Sequence, residues 1–503
     1  MASAAIRTPL LFSALVVASC GLVYELVAGT LASYLLGDSV TQFSTIIGAY
    51  LFAMGIGSWL SRYLRGALIE HFVRVEIVVG AVGGASAAIL FLTFAEVTQF
   101  RVALYGLVSL IGVLVGLEIP LLLRILQDQF EIGDLVARVF AADYLGALVA
   151  SILFPLLLVP RLGLIRTCFL FGILNVAVAW LLLLRPEGVP KLGLLRWGAG
   201  TVMVLLAIGF VYADPIMEIA EQSQYPGQAV FSKSTPYQRI VVTRQADDTR
   251  LFLNGNLQFS SRDEYRYHEA LVHPALAAVP EPRRVLVLGG GDGLALREIL
   301  KYPSVESITL VDLDPEVTAL FARSRFLSAL NGGAFSSPKV HVVNADAFVW
   351  LQGDRGTFDA VVVDFPDPSN YSIGKLFSTT FYRRLNAVLA PDGWAVIQST
   401  SPFVARRSFW CVDQTLQVAG FVTAAYHALV PSFGEWGFVL AGHTPYRPPI
   451  QLPEGLRYLT PQVLQQMLSF PPDMQRVPTD VNRLDNQVLV RYFESEWGQY
   501  LAD

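Results

Sequence analysis

Hydropathy divides this chain in two. From Pro9 to about Val211 it runs through long apolar stretches separated by short polar loops, and after Asp214 it reads as an ordinary globular sequence. A run of about 20 apolar residues crosses the hydrocarbon core of a bilayer as a helix, so the first part needs a membrane. The whole chain, 503 residues with 53% hydrophobic and 15% charged, is too apolar for one soluble protein and too long for one domain. The boundary falls near residue 213. Seven candidate spans are expected, at roughly 10–35, 41–61, 75–97, 102–123, 139–159, 164–184 and 194–212.

Loop charges orient the spans. Arg62, Arg65 and Arg74, then Arg124 and Arg138, then Arg185, Lys191 and Arg196 fill alternate loops, and the loops between hold only Arg101, Arg161 and Arg166. The positive-inside rule puts the N-terminus in the cytoplasm. Val17-Ala18-Ser19-Cys20 imitates a lipoprotein cleavage site, but the apolar run continues to Leu36, where a cleavable signal would have stopped. Glu25, Glu118 and Asp143 fall inside spans. Such carboxylates line a proton or cation path, or are paired across helices. Gly55, Gly57, Gly80, Gly83 and Gly84 read as sites of close helix packing.

The net charge of −5 offers no basic face, which excludes a nucleic-acid partner. Cys20, Cys168 and Cys411 are too scattered for a disulfide framework or a metal site and read as three buried thiols. No metal and no prosthetic group are expected.

In the second part, residues 229–260 alternate as strands, with Asn254-Gly255 as a hairpin turn. Then the pattern changes. Buried strands are expected at 284–288, 307–311, 340–343, 359–363 and 394–397, with helical patterns between. Strands alternating with helices predict a doubly wound parallel sheet of Rossmann-like α/β class. The expected organisation is a multi-pass α-helical membrane domain (1–213), a small antiparallel β unit with linker (214–280), the α/β domain (281–445) and a helical tail (446–503). The tail would pack on that domain or on a neighbouring subunit of a homo-oligomer.

Asp292, Asp312, Asp346, Asp364 and Gln398 each follow the carboxyl end of a strand, the edge where open α/β sheets bind ligands. The Gly-rich turn Gly289-Gly290-Gly291-Asp292-Gly293 lets backbone approach a ligand closely. Asp292 within it would repel a pyrophosphate and suits a ligand that is cationic there, such as a sulfonium or an amine. Asp312, about 20 residues on, is placed to accept from ribose hydroxyls. Together these favour an adenosyl-sulfonium over a dinucleotide.

TPYQRI at 235–240, DEYRYHEALVHPAL at 263–276, GGGDG at 289–293, LVDLD at 310–314, NADA at 344–347 and DFPDP at 364–368 resemble the spermidine synthase family of polyamine aminopropyltransferases, in its membrane-associated branch. The likeness covers roughly 230–442. It implies transfer of the aminopropyl group of decarboxylated S-adenosylmethionine, the co-substrate, to a polyamine such as putrescine. It implies that Gln238 contacts the thioadenosine, with Gly289 and Gly291 in the nucleotide loop. Tyr267 and His268 would line the amine channel, Asp292 hold an amino group and Asp312 the ribose. Asp346 and Ala347 would meet the adenine edge, Asp364 accept the proton, and Asp367 help hold the amine. His273 is read as structural.

The residue types suit that chemistry. A protonated amine must lose a proton before it attacks carbon next to a sulfonium, and a site rich in Asp and lacking Lys or Arg suits a dication. The segment from Pro368 to Lys375 is a substrate-ordered lid or an ordinary surface loop. Three departures leave the acceptor amine open. Phe365 and Pro366 replace small polar residues, Asp312 replaces a glutamate, and Pro431-Ser432-Phe433-Gly434 lacks the family's tyrosine. A methyltransferase on the same sheet remains open, as does a membrane transporter or sensor regulated by a nucleotide domain. Seven spans from a cytoplasmic N-terminus would put the catalytic part outside, whereas supply of the nucleotide places it in the cytoplasm, at a cell membrane.

Overall fold

The computed structural model describes residues 4–36, 39–94, 100–127, 130–184 and 192–502. The chain forms two compact units, Met1–Ala229 and Val230–Asp503.

The first unit is helical: α1 (Ala4–Leu36), α2 (Ser39–Leu60), α3 (Leu68–Phe94), α4 (Phe100–Gly116), α5 (Glu118–Leu126), α6 (Ile132–Leu153), α7 (Val159–Leu183), α8 (Leu192–Val211) and α9 (Ala213–Gln224). Among the described residues six helical runs are long and apolar enough to cross a membrane, against seven expected. The spans expected at 139–159 and 164–184 lie in one run, Ile132–Leu183, of 52 residues. Straight, it would measure about 78 Å at 1.5 Å per residue, well over the ~30 Å of a hydrocarbon core. It is broken at Gly163, whose φ of 73° and ψ of 175° suit only glycine. The break lets α6 lie along α1 and α7 along α3. Arg185 and Lys191, used above for orientation, lie outside the described residues.

Close packing here rests on missing side chains. A Cβ at Gly57 would stand 2.0 Å from the Val113 carbonyl oxygen, and one at Gly80 2.8 Å from that of Gly172. Gly55, expected to serve the same purpose, faces open space. Glu118 is buried, and Glu25 and Asp143 are half-buried. The sequence reading passed over a fourth acid, Glu76, which is wholly buried and accepts from Asn175 Nδ2 at 2.7 Å. Asn175 in turn accepts from the Tyr24 hydroxyl at 2.9 Å. Cys20, Cys168 and Cys411 are buried and unpaired.

The second unit opens with an antiparallel sheet, β1 (Gln228–Ser234), β2 (Arg239–Gln245), β3 (Asp248–Leu253) and β4 (Asn256–Ser260), in sequential order. Asn254 and Gly255, at φ 50° and 82°, make the expected turn between β3 and β4. Helix α10 (Glu264–Leu276) follows, and then the main sheet: β5 (Arg284–Gly289), β6 (Ser307–Asp312), β7 (Val340–Asn344), β8 (Phe358–Asp364), β9 (Leu389–Gln398), β10 (Val422–Val430) and β11 (Gly434–Gly442). Its helices are α11 (Leu294–Ile299), α12 (Pro315–Arg323), α13 (Arg325–Leu330), α14 (Ala347–Trp350), α15 (Tyr371–Gly374), α16 (Thr379–Val388) and α17 (Arg406–Val418). The tail adds α18 (Pro461–Met467) and α19 (Val488–Ala502).

The sheet order is β10-β11-β9-β8-β5-β6-β7. Five strands are parallel, as expected, but β10 and β11 form an antiparallel hairpin paired to β9. The expected all-parallel sheet is therefore mixed. Only three residues join β10 to β11, and a parallel crossover needs a dozen or more. Strand order reverses between β5 and β8, which makes their carboxyl ends the switch point for a ligand. Gly289 of β5 is in register with Asp364 of β8 at that point.

The tail is tied to α10. Buried Glu269 accepts from the backbone N–H groups of Arg457, Tyr458 and Leu459 at 2.7, 2.9 and 2.8 Å.

Candidate active site

The turn after β5 explains its glycines. Gly289 has φ 81°, and a Cβ there would stand 2.2 Å from the Asp364 carbonyl oxygen. Gly290, at φ 67°, lies beside Asp364, and a Cβ there would come within 3.1 Å of Oδ2. The Tyr267 hydroxyl donates to the other oxygen, Oδ1, at 2.6 Å. One carboxylate oxygen is thus fixed and the other faces a place without a side chain.

Asp292 is buried in the same turn and accepts from Leu294 N–H at 2.9 Å. The Asn331 amide holds its carbonyl at 2.9 Å. Gly291 lies against Asp312, where a Cβ would meet Oδ2 at 2.7 Å. Asp312 accepts from Asp314 N–H, and Asp314 accepts from Gln238 Nε2 at 3.1 Å and the Thr235 hydroxyl at 2.8 Å. Gln238 is thereby drawn from the small sheet to the end of β6. Asp367 accepts from Gln398 at 3.4 Å and Thr400 at 3.3 Å.

Enclosure raises the acids. Asp364 is pushed up to about 6 by burial, which the His268 charge opposes and the Asp292 charge reinforces. Burial pushes Asp367 up to about 7 against its bonds to Gln398 and Thr400. Asp312 is pushed up to about 6 by burial, and Asp292 is raised for the same reason. Burial also raises the Tyr267 phenol, which keeps its proton and so remains a donor.

His268 behaves oppositely. Burial alone would lower it, but Glu264, with Asp292 and Asp364 beyond, raises it to about 9. Its Nδ1 meets a Glu264 carboxylate oxygen at 3.0 Å, and Arg297 grips both oxygens of Glu264 at 2.9 Å. Glu264 and Arg297 were missed in the sequence, although Glu264 precedes His268 by one helical turn, a legible spacing. His273 is buried between Glu298 and Tyr302, in keeping with a structural role.

The expectation of a site without Lys or Arg needs correction. Lys375 pairs with Asp346 at 2.6 Å, and the Arg297 charge reaches Asp292. Asp346 also accepts from Phe348 N–H at the start of α14, beside buried Ala347. The structure brings Tyr267, His268, Asp292, Asp312, Asp364 and the glycines together at the switch point. Asp346 and Ala347 stand apart at the end of β7.

Residues 264–449 match the spermine/spermidine synthase domain. Over 98% of this chain and its own whole length, a polyamine aminopropyltransferase of Leptospira interrogans is 54% identical. Polyamine aminopropyltransferase 2 of Ralstonia nicotianae is 58% identical over 97% of this chain and 98% of its own. The chain belongs to the spermine/spermidine synthase family. The resemblance seen in its motifs therefore extends through the apolar first unit, since these relatives match nearly end to end. Among solved structures, spermidine synthase from Thermotoga maritima is 25% identical, covering 48% of this chain and 84% of its own, with a TM-score of 0.44. Phe433 packs against the Tyr267 ring with centroids 5.8 Å apart.

Proposed function

We propose that the chain transfers the aminopropyl group of decarboxylated S-adenosylmethionine to a polyamine such as putrescine, releasing spermidine and methylthioadenosine. One observation carries the reading: Asp364 lies at the switch point with one oxygen held by Tyr267 and the other open beside Gly290. Asp312 takes the ribose hydroxyls, Gln238 borders the thioadenosine, and Asp346 with Ala347 meets the adenine. Asp292 and Asp367 hold ammonium groups and bring the nucleophilic nitrogen to attack geometry. The amine gives a proton to Asp364, its nitrogen bonds to the carbon beside sulfur, and the carbon–sulfur bond breaks. The sulfonium becomes a neutral thioether, so the product nucleotide loses its attraction for the carboxylates.

The test is incubation of the purified full-length protein with putrescine and either the decarboxylated or the intact donor. Spermidine and methylthioadenosine from the decarboxylated donor alone are expected. Methyl transfer from the intact donor without aminopropyl transfer would overturn the reading.

The first unit is proposed to lie in a cell membrane, with lipid as its partner. Phe52, Leu156, Leu194 and Trp197 are 73–80% exposed on its helices, apolar surface suited to lipid. The second unit is proposed to face the cytoplasm, where its nucleotide is made, and the protein to form a homo-oligomer. A C-terminal reporter active only when exported would refute that side, and a monomeric mass in detergent would refute the oligomer.

A further inference from the structure

Asp367 is held by two side chains that are themselves held. Gln398 bonds its Oδ1, and the Trp436 indole N–H donates to the Gln398 amide oxygen at 3.2 Å. Thr400 bonds its Oδ2, and the Trp497 indole N–H donates to the Thr400 hydroxyl at 3.2 Å. Trp497 sits on α19, 97 residues beyond Thr400 and outside the segment 264–449 that matches the family domain.

Thr400 is strained. Its φ is 55°, a region a β-branched residue enters only when its surroundings force it. They do so here: Gly437 N–H bonds the Thr400 carbonyl at 2.7 Å, and Thr400 N–H bonds Gln398 at 3.3 Å. The hydroxyl is thereby set between Trp497 and Asp367.

Helix α19 is anchored where this matters. Glu496, next to Trp497, accepts from Arg407 N–H at 2.8 Å and from Ser408 N–H at 3.0 Å, which caps the start of α17. The C-terminal residues also brace the far end of the segment after Asp367. Asn482 donates to the Gly374 carbonyl at 3.0 Å, and a Cβ on Gly374 would come within 2.5 Å of Val490. The Gly374 end of this stretch rests on the tail directly, and the Asp367 end reaches it through Thr400.

We propose that Trp497 is a positioning residue for the amine acceptor, acting through the Thr400 hydroxyl on Asp367, so that the C-terminal helix helps select the acceptor. This rests on the assignment of Asp367 to an ammonium of the amine. Trp497 touches no reacting atom; it aims the group that does. Phe365 and Pro366, which replace small polar residues beside Asp367, offer that carboxylate no side-chain donor, and the donors come from Gln398 and Thr400 instead.

The experiment uses the full-length enzyme in detergent and reads KM for each substrate, kcat and the melting temperature. Trp497→Phe keeps the ring and loses the N–H. It should raise KM for the amine about 3–10-fold, the effect of one neutral hydrogen bond, with donor KM and melting temperature nearly unmoved. Thr400→Ser should stay near wild type and Thr400→Ala should repeat the Trp497→Phe effect. The double variant Trp497→Phe/Thr400→Ala should be no worse than Thr400→Ala alone. Equal loss for both substrates, additive loss in the double variant, or no change in Trp497→Phe would overturn the proposal. If Trp497→Phe does not fold, the two Thr400 variants decide, and equal behaviour of Ser and Ala overturns it. A wild-type chain without aminopropyl transfer would overturn the functional reading as well, and that is seen before any variant is made.

Discussion

The Tyr267 hydroxyl donates to Asp364 Oδ1 at 2.6 Å, and the same ring packs against Phe438 and Phe433. Tyr267→Phe should keep the packing and lose the bond. A hydrogen bond to a charged group contributes about 1.5–3 kcal/mol, so kcat/KM should fall about 10–100-fold. Asp364→Asn should cost more, about 10²–10⁴-fold in kcat, while calorimetry shows methylthioadenosine still binding. An Asp364→Asn enzyme with normal turnover would remove this carboxylate from the chemistry.

Activity and stability should respond to pH with opposite signs. In the roles proposed for them, Asp364 and Asp367, raised by burial to about 6 and about 7, must be ionised to accept a proton and hold an ammonium. Turnover should therefore rise between about pH 5.5 and pH 7.5. The same groups titrate near 3.9 when unfolded. The folded state then binds more protons than the unfolded one across this interval, so the melting temperature of the empty enzyme should fall as pH rises. His268 adds to the fall on the alkaline side, because its stabilisation is complete below about 6.5 and is lost as pH passes its folded value of about 9. Added amine should recover stability most above pH 7. A melting temperature that climbs through this interval would contradict the burial of these acids.

Gly291→Ala should separate the substrates in the opposite direction from Trp497→Phe. A Cβ there would stand 2.7 Å from Asp312 Oδ2, so the carboxylate must shift. Donor KM should rise about tenfold or more, equivalent to ~1.4 kcal/mol, and amine KM should hold. Steady-state kinetics with each substrate varied in turn reads the difference.

Glu264→Gln should act on stability first. It leaves Arg297 without its bidentate partner and His268 without the carboxylate that keeps it charged. Removing one member of a buried pair costs about 3–5 kcal/mol. Because the Arg297 side chain is 23% exposed, the lower end is expected, read as a fall in denaturation midpoint.

Much of this site was legible because it follows the sheet. Asp312 and Asp364 close their strands and Asp292 lies just past one, and strand ends are readable from apolar runs. Glycine marked the turn where backbone meets backbone. The β10–β11 hairpin was not read, although each strand is nine residues long, since the link between them is only Pro431, Ser432 and Phe433 and no Asn-Gly or Asp-Gly pair marks the turn. Lys375 was missed because it reaches Asp346 across sequence, and Thr400 and Trp497 for the same reason. No local pattern announces a hydrogen bond spanning 97 residues. In the first unit, residue 163 is one glycine among many, and only its conformation distinguishes it as the point where a long apolar run breaks.

Glu269 has a bearing on how small this enzyme can be made. It directly follows His268 on α10, and its carboxylate is shared among three amide hydrogens contributed by residues 457–459. Trimming the chain at the end of the family domain would strand that charge in a dry interior, right behind the Tyr267 and His268 rings. The minimal catalytic fragment must therefore extend past the matched family domain, and shortened versions should be designed from the far terminus inward.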